Sequence, residues 1–184
     1  IFGEEFENRD PRMFQTVRCP GYARIGKTHD VNRLYEAMII STTGYMPIKY
    51  IQSGDYDKQT SNENDIILYR YAEVLLNYAE AKAELGTLLQ TDLEQSIKLI
   101  RDRVGMPNMD MAAANANPDP VLSAQYPLVN GSNKGVILEI RRERRVEMVM
   151  ENLRYDDIIR WKAGHLFTEQ FKGVYFSTVT APST

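Results

Sequence analysis

The sequence predicts a mainly α-helical protein: tetratricopeptide-like helical hairpins with long irregular loops and a small β-hairpin. Three observations carry that prediction. Between 65 and 85, Leu68, Ala72, Leu75, Leu76, Ala79 and Ala83 recur at mostly three- and four-residue spacing, and Gly86 follows as a helix stop. Between 91 and 104, the capping box Thr91-Asp92-Leu93-Glu94 opens a second run, in which Leu93, Ile97, Ile100 and Val104 repeat up to Gly105. Between 136 and 161, a stretch free of Gly and Pro is dense in apolar residues and in charge at once, with four arginines (141, 142, 144, 145) in five positions.

Residues 1–64 read as loop-rich. Asp10-Pro11 and Cys19-Pro20-Gly21 are turn signals, and Met13 to Val17 is a candidate strand. Residues 37–40 and 45–51 form two short apolar runs around Thr42-Thr43-Gly44. They suit a β-hairpin with Pro47 on an edge strand, and a helix over 31–41 is the alternative. Asn64 or Asp65 caps the first helix, whose alanines at 72, 79 and 83 form a narrow stripe that another helix can approach closely. Arg70 and Glu73 are placed to pair. Helices 65–85 and 91–104 then make an αα-hairpin. Residues 106–135 read as a loop with room for one short turn, because N-A-N-P-D-P-V and V-N-G-S-N are loop chemistry. A third helix over 136–151, a break at Asn152 and a fourth helix over 155–163 make a second hairpin, spanning 136–164, and 165–184 is a tail. The whole reads as a single helical domain.

Composition excludes several functions. A net charge of −3, with arginines interleaved among glutamates, offers no basic surface for nucleic acid. One cysteine, Cys19, makes no intramolecular disulfide. No apolar run approaches the ~18 residues that span a bilayer, and 1–8 (I-F-G-E-E-F-E-N) is no signal peptide. A chain beginning at Ile1 reads as processed or as a fragment.

Candidate chemistry is sparse. Glu139, Glu143, Glu147 and Glu151 stand four apart, which invites a paired-carboxylate site of the glycosidase kind. Neighbouring arginines would hold such carboxylates ionised, so the ladder reads as ion-paired scaffold. Gly21 to Thr28 matches the letters of a phosphate-binding loop but lacks the strand leading in. His29 and His165 stand apart without companion ligands, and the acids Asp55, Asp57, Glu63 and Asp65 lack an EF-hand pattern, so no metal or cofactor is predicted. Trp161, after Ile158 and Ile159, reads as a core plug. Tyr69, Tyr71 and Tyr78 read as packed on the first helix. Tyr35, Tyr45, Tyr50 and Tyr56 in the irregular region are the candidate ligand contacts, with Asn32, Arg33 and Asp55 as hydrogen-bonding partners. A scaffold reading of 136–161 requires Arg144, Glu147 and Trp161 to be buried.

Five segments carry a family resemblance: E-N-R-D-P-R (7–12), T-G-Y-M-P-I-K-Y (43–50), D-I-I-L-Y-R-Y-A-E-V-L-L-N-Y-A-E-A (65–81), I-R-D-R-V-G (100–105) and E-R-R-V-E-M-V-M-E-N-L-R-Y-D-D-I-I-R-W-K (143–162). In this order they resemble the later part of SusD/RagB proteins, which are nutrient-binding lipoproteins of the outer membrane in Bacteroidetes. The resemblance implies tetratricopeptide-like hairpins as scaffold and a non-catalytic role. It implies binding of an oligosaccharide or other nutrient at the cell surface, and a SusC-like TonB-dependent transporter as partner. It also implies attachment through a lipid anchor absent from this chain, since Cys19 lies in R-C-P-G and in no lipobox. A protein-interaction scaffold without a ligand of its own is the alternative.

Overall fold

The computed structural model describes residues 4–26, 41, 43–58, 60–170 and 172–173. It divides into two compact units. One comprises 1–9, 13–65 and 170–184, and the other comprises 10–12 and 66–169.

The second unit is helical. Its longest helices are α2 (Tyr71–Glu84) and α7 (Lys134–Glu147), which pack on each other. Leu75, Leu76, Ala79 and Ala83 of α2 meet Val136, Leu138 and Ile140 of α7 in one buried cluster. The predicted alanine stripe is thus the place where the helices close. Between them in sequence run α3 (Gln90–Glu94), α4 (Ile97–Asp102), α5 (Met111–Ala116) and α6 (Pro120–Gln125), and α8 (Arg154–Arg160) follows. Leu93, Ile97, Ile100, Ile158 and Trp161 complete the core. Burying such a side chain contributes about 1.5–3 kcal/mol. Arg144, Glu147 and Trp161 are buried, as the scaffold reading requires.

Several boundaries differ from the sequence expectation, each for a local reason. The first long helix starts at Tyr71 and not at Asp65. Arg70 is extended (φ −142°) because its guanidinium reaches Glu151 and Glu147 instead of Glu73. The residues before it are left outside: Leu68 is 79% and Tyr69 87% exposed. Tyr71 and Tyr78 are exposed as well, against the packed role expected of them.

The second helix breaks in two at Ser96. The Ser96 hydroxyl donates to the Asp92 carbonyl at 2.6 Å, so a side chain competes for a backbone acceptor. Asp92, not Glu94, reaches back to cap this segment, accepting from the Leu89 N–H at 2.8 Å. Gly86 and Gly105 both sit at φ +70°, which closes α2 and α4 as their sequence positions predict.

The supposed loop of 106–135 holds α5 and α6. Asp110 and Asp119 accept from the N–H of Ala113 and Leu122, each at 2.9 Å, and Pro120 occupies the first helical position. In D-P-V the aspartate and proline, read as loop formers, are a cap and a helix start. The third helix runs from Lys134 and ends at Glu147, four residues short of Glu151. Met150 and Asn152 follow with positive φ, so Asn152 lies in the reversing turn.

α5 crosses the start of α7 closely. The Asn115 side chain accepts from the Val136 N–H at 2.9 Å, satisfying one of the donors a helix start leaves open. A Cβ on Gly135 would lie 1.8 Å from the Ala114 carbonyl oxygen.

In the first unit, α1 (Arg12–Thr16, whose first residue belongs to the second unit) replaces the strand expected over 13–17. Val17 forms an isolated antiparallel bridge to Pro47. Its hydrogen bonds come from Arg18 to Met46 and from Ile48 to Thr16, both 2.8 Å, so the missing N–H of Pro47 is not needed. Among the described residues no β-hairpin forms over 41–51, and residues 35–40 of the expected hairpin lie outside the description.

Gly135→Ala gives a test with a reversed sign. In an ordinary helix interior this change stabilises by about 1 kcal/mol. Here the new methyl has only backbone to displace, so a loss of about 1–3 kcal/mol is expected, measured as a lower urea midpoint at unchanged m-value.

Candidate functional site

The candidate ligand residues belong to the first unit. Arg24 organises their loop. Its Nε donates to the Gln52 carbonyl at 2.6 Å and its Nη2 to the Ser53 carbonyl at 3.0 Å, while Nη1 and Nη2 grip both oxygens of Asp57. The hydrogen bond from Arg24 holds the Asp57 carboxyl below its usual range. A planar five-donor fork suits this task, binding two carbonyls and a carboxylate in one plane. The short 3₁₀ turn Gly54–Tyr56 is held inside that grip.

Tyr45, Tyr50 and Tyr56 are 39, 39 and 37% exposed, and Asp55 is exposed. Tyr45, Tyr50 and Asp55 are each tied to a different neighbour. The Tyr45 hydroxyl donates to Glu5, which pushes its phenol pKa up. Lys49 Nζ lies 5.6 Å from the centre of the Tyr50 ring, and the Tyr50 carbonyl accepts from Asn64. Tyr50 has φ +68°, unusual for an aromatic residue. Asp55 accepts from Ser53 at 3.4 Å. Asn32, Arg33 and Tyr35 lie outside the described residues.

The phosphate-loop letters have no phosphate-loop structure. Residues 22–24 are irregular, no strand leads in, and Arg24 spends its donors on 52–57. Lys27, Thr28 and His29 lie outside the description. His165 Nε2 is 3.1 Å from the Gln125 carbonyl. Among the described residues no cluster of His, Cys, Asp and Glu could hold a metal ion, and no helix is long and apolar enough to cross a membrane.

The glutamate ladder lies in the second unit and is bound up with arginines. Glu143 takes Arg12 at 2.6 Å and Arg101 at 2.8 Å. Glu147 takes Arg12 at 2.9 Å, Arg70 at 2.6 Å and Arg103 at 2.9 Å. Glu151 takes Arg70 at 2.7 Å. Burial alone would raise the Glu147 pKa, but hydrogen bonds from Arg70 and Arg12 outweigh it and hold the carboxyl below its ordinary value. Arg12 is shifted upward: burial opposes its charge, and Asp10, Glu143 and Glu147 more than restore it. Glu139 goes the other way, raised by burial, with Arg142 at 3.3 Å as counter-charge. A carboxylate clamped by three arginines is a poor general acid.

The second charged cluster surrounds Trp161. Its indole N–H donates to Glu80 at 2.6 Å, and Arg141, Arg160 and Arg154 lie 4.8, 4.9 and 5.7 Å from its ring. Tyr126 meets the ring edge-on at 5.6 Å. Arg144 fixes α7 to α8 through both oxygens of Asp157 at 2.8 Å. The indole is buried among these groups and offers no face for stacking.

Comparison with known proteins joins these elements. The sequence profile of the SusD family matches residues 1–180. The chain belongs to the SusD family. Two solved structures from Bacteroides fragilis resemble it, a SusD-like carbohydrate binding protein and a SusD-like protein. The first is 28% identical with a TM-score of 0.60 over 87% of this chain. The second is 28% identical with a TM-score of 0.61 over 88% of this chain. The SusD-type chain covers 30% and 29% of those two structures, less than a third of either. No curated protein matches.

The clamped glutamates predict acid sensitivity. The Glu147 pKa is lowered on folding, so its stabilisation is complete above the unfolded carboxylate value near 4.5 and is lost as pH falls toward the folded value. Glu147→Gln leaves three arginines facing a neutral amide. It is expected to cost about 3–5 kcal/mol at neutral pH. It should also flatten the dependence of the urea midpoint on pH below 4.5.

Proposed function

We propose that this chain takes part in non-catalytic glycan binding at the bacterial cell surface, and that the bound sugar passes to a TonB-dependent outer-membrane transporter of the SusC type. Its likeness, at 28% identity over 87% of its length, to a SusD-like carbohydrate binding protein carries the reading. SusD proteins are associated with the cell surface in Bacteroidetes, which supports the location.

The loop pinned by Arg24 supplies the contact surface. Tyr45, Tyr50 and Tyr56 present partly exposed rings, and beside Tyr56 the backbone at Gln52 and Ser53 is already fixed, so little ordering is needed there on binding. Flat aromatic rings stack on the C–H faces of sugars while their hydroxyls stay in reach of water. Tyr35 is a further ring of this proposal, and Asp55, with Asn32 and Arg33, supplies its polar partners. The ion-paired state of Glu143 and Glu147 supports a binder over a hydrolase.

A second reading has its own observation. Leu68, Tyr69, Tyr71 and Val74 are all exposed, an apolar run at the start of α2 that suits a scaffold docking another protein.

A glycan array on the purified chain decides between them. Under the first reading it binds an oligosaccharide and releases no reducing ends from it. Tyr45→Ala, Tyr50→Ala and Tyr56→Ala should each weaken that binding by about three- to tenfold, since an aromatic–sugar contact resembles other ring contacts of about 0.5–1.5 kcal/mol. Silence on the array, or binding indifferent to all three, would remove the tyrosine surface from the proposal.

A further inference from the structure

The helices α6 and α7 leave a cavity of about 320 Å³ between them, remote in sequence from the tyrosine loop and formed wholly within the second unit. Ligand sites run from about 300 to 1,000 Å³, so this one holds a single ring and not a chain of them. Its apolar wall is Val121, Leu122 and Val146. Its polar side is Arg141, Arg142 and Arg145, with Arg145 four residues from Arg141 and three from Arg142 along α7 and so beside both.

The three arginines differ in how far they are neutralised. Arg142 is committed: it donates to Asp119 and lies 3.3 Å from Glu139. Asp119 also accepts from the Leu122 N–H and is kept ionised, so its charge is shared between that helix start and Arg142. Arg141 is buried against the rings of Tyr126 and Trp161, donates to Glu84 through Nη2, and has a buried Nε without an acceptor. Arg145 is exposed and makes no ion pair or hydrogen bond among the described residues. Gln125, on the α6 side, has a buried amide oxygen without a donor. The cavity thus combines an apolar wall, an amide and a guanidinium with no counter-charge.

A neutral sugar would leave Arg145 facing the ligand without an anion. A uronic acid unit has the matching parts: a C–H face for the Val121–Leu122–Val146 wall, a planar carboxylate for the guanidinium fork, and hydroxyls for the amide. We infer that the cavity between α6 and α7 is a subsite for the carboxylate-bearing ring of an acidic glycan, with Arg145 as the group that selects the charge. The inference rests on the glycan-binding reading above and narrows it to acidic sugars at a second place on the chain.

Titration of the purified chain with digalacturonate, and separately with neutral galactobiose, followed by ¹H–¹⁵N NMR, tests it. The expected result is perturbation of residues 119–126 and 141–146 by digalacturonate alone, weakened by added salt. Arg145→Glu lies on the surface and should leave the fold intact while cutting digalacturonate affinity about tenfold or more. Val121→Trp is independent of charge and should block the cavity with the same loss. Digalacturonate binding that survives both substitutions places the sugar elsewhere and overturns the inference. So does binding of neutral glycans without digalacturonate, which leaves the broader glycan reading standing. Binding of neither class defeats both.

Discussion

Everything in the second unit depends on charge being neutralised inside it. Glu143 and Glu147 sit on the buried side of α7, where an isolated carboxylate would cost several kcal/mol to desolvate. Four arginines from three segments converge on them: Arg12 at the start of α1, Arg70 from before α2, and Arg101 and Arg103 from the end of α4. The geometry is dense because it has to be. A buried ion pair gains little net stability over an apolar one, but a partly satisfied one is worse than either. The network therefore acts as a register device. Each arginine has one place where its fork fits, and the segment carrying it is fixed there.

The Trp161 cluster works on the same principle beside that network, meeting α7 at Arg141 and Arg144. Glu80 of α2 accepts from the indole and from Arg160, and its carboxyl is held low because those hydrogen bonds outweigh its burial. Arg144, Asp157 and Asn77 link the same helices, with Arg144 donating to Asn77 at 2.7 Å. The apolar cores of α2 and α7 would tolerate some sliding, because leucine meeting alanine specifies position weakly. The polar contacts of the two clusters remove that freedom.

The helical class, the alanine stripe as a place of close helix approach and the burial of Arg144, Glu147 and Trp161 were legible in the sequence. They depend on periodicity and on a stretch with too many apolar residues for a solvated helix and too many charges for a wholly buried one. The missed features depend on side chains answering backbone groups far off or out of pattern. Arg70 sits four residues into an apolar run that reads as helix, and only its distant acids explain why it is extended. Ser96 interrupts a helix whose apolar spacing is continuous. Asp110 and Asp119 look like loop residues until the short helices they cap are seen. In the tyrosine loop the rings are partly exposed, but nothing in the sequence singles out Arg24 as the residue that fixes the loop. The signal was there only in its match to a phosphate-binding pattern that it does not use.

The separation between Arg12 and its acids has a consequence for how the chain assembles. Glu143 and Glu147 follow Arg12 by 131 and 135 residues. Closing so long a loop costs chain entropy that grows with the logarithm of its length. The Arg144–Asp157 contact spans only 13 residues. During synthesis Arg12 leaves the ribosome well before α7 and stays hydrated until α7 has been made. The Arg144–Asp157 contact therefore closes at a lower chain-entropy cost than either contact of Arg12 with α7.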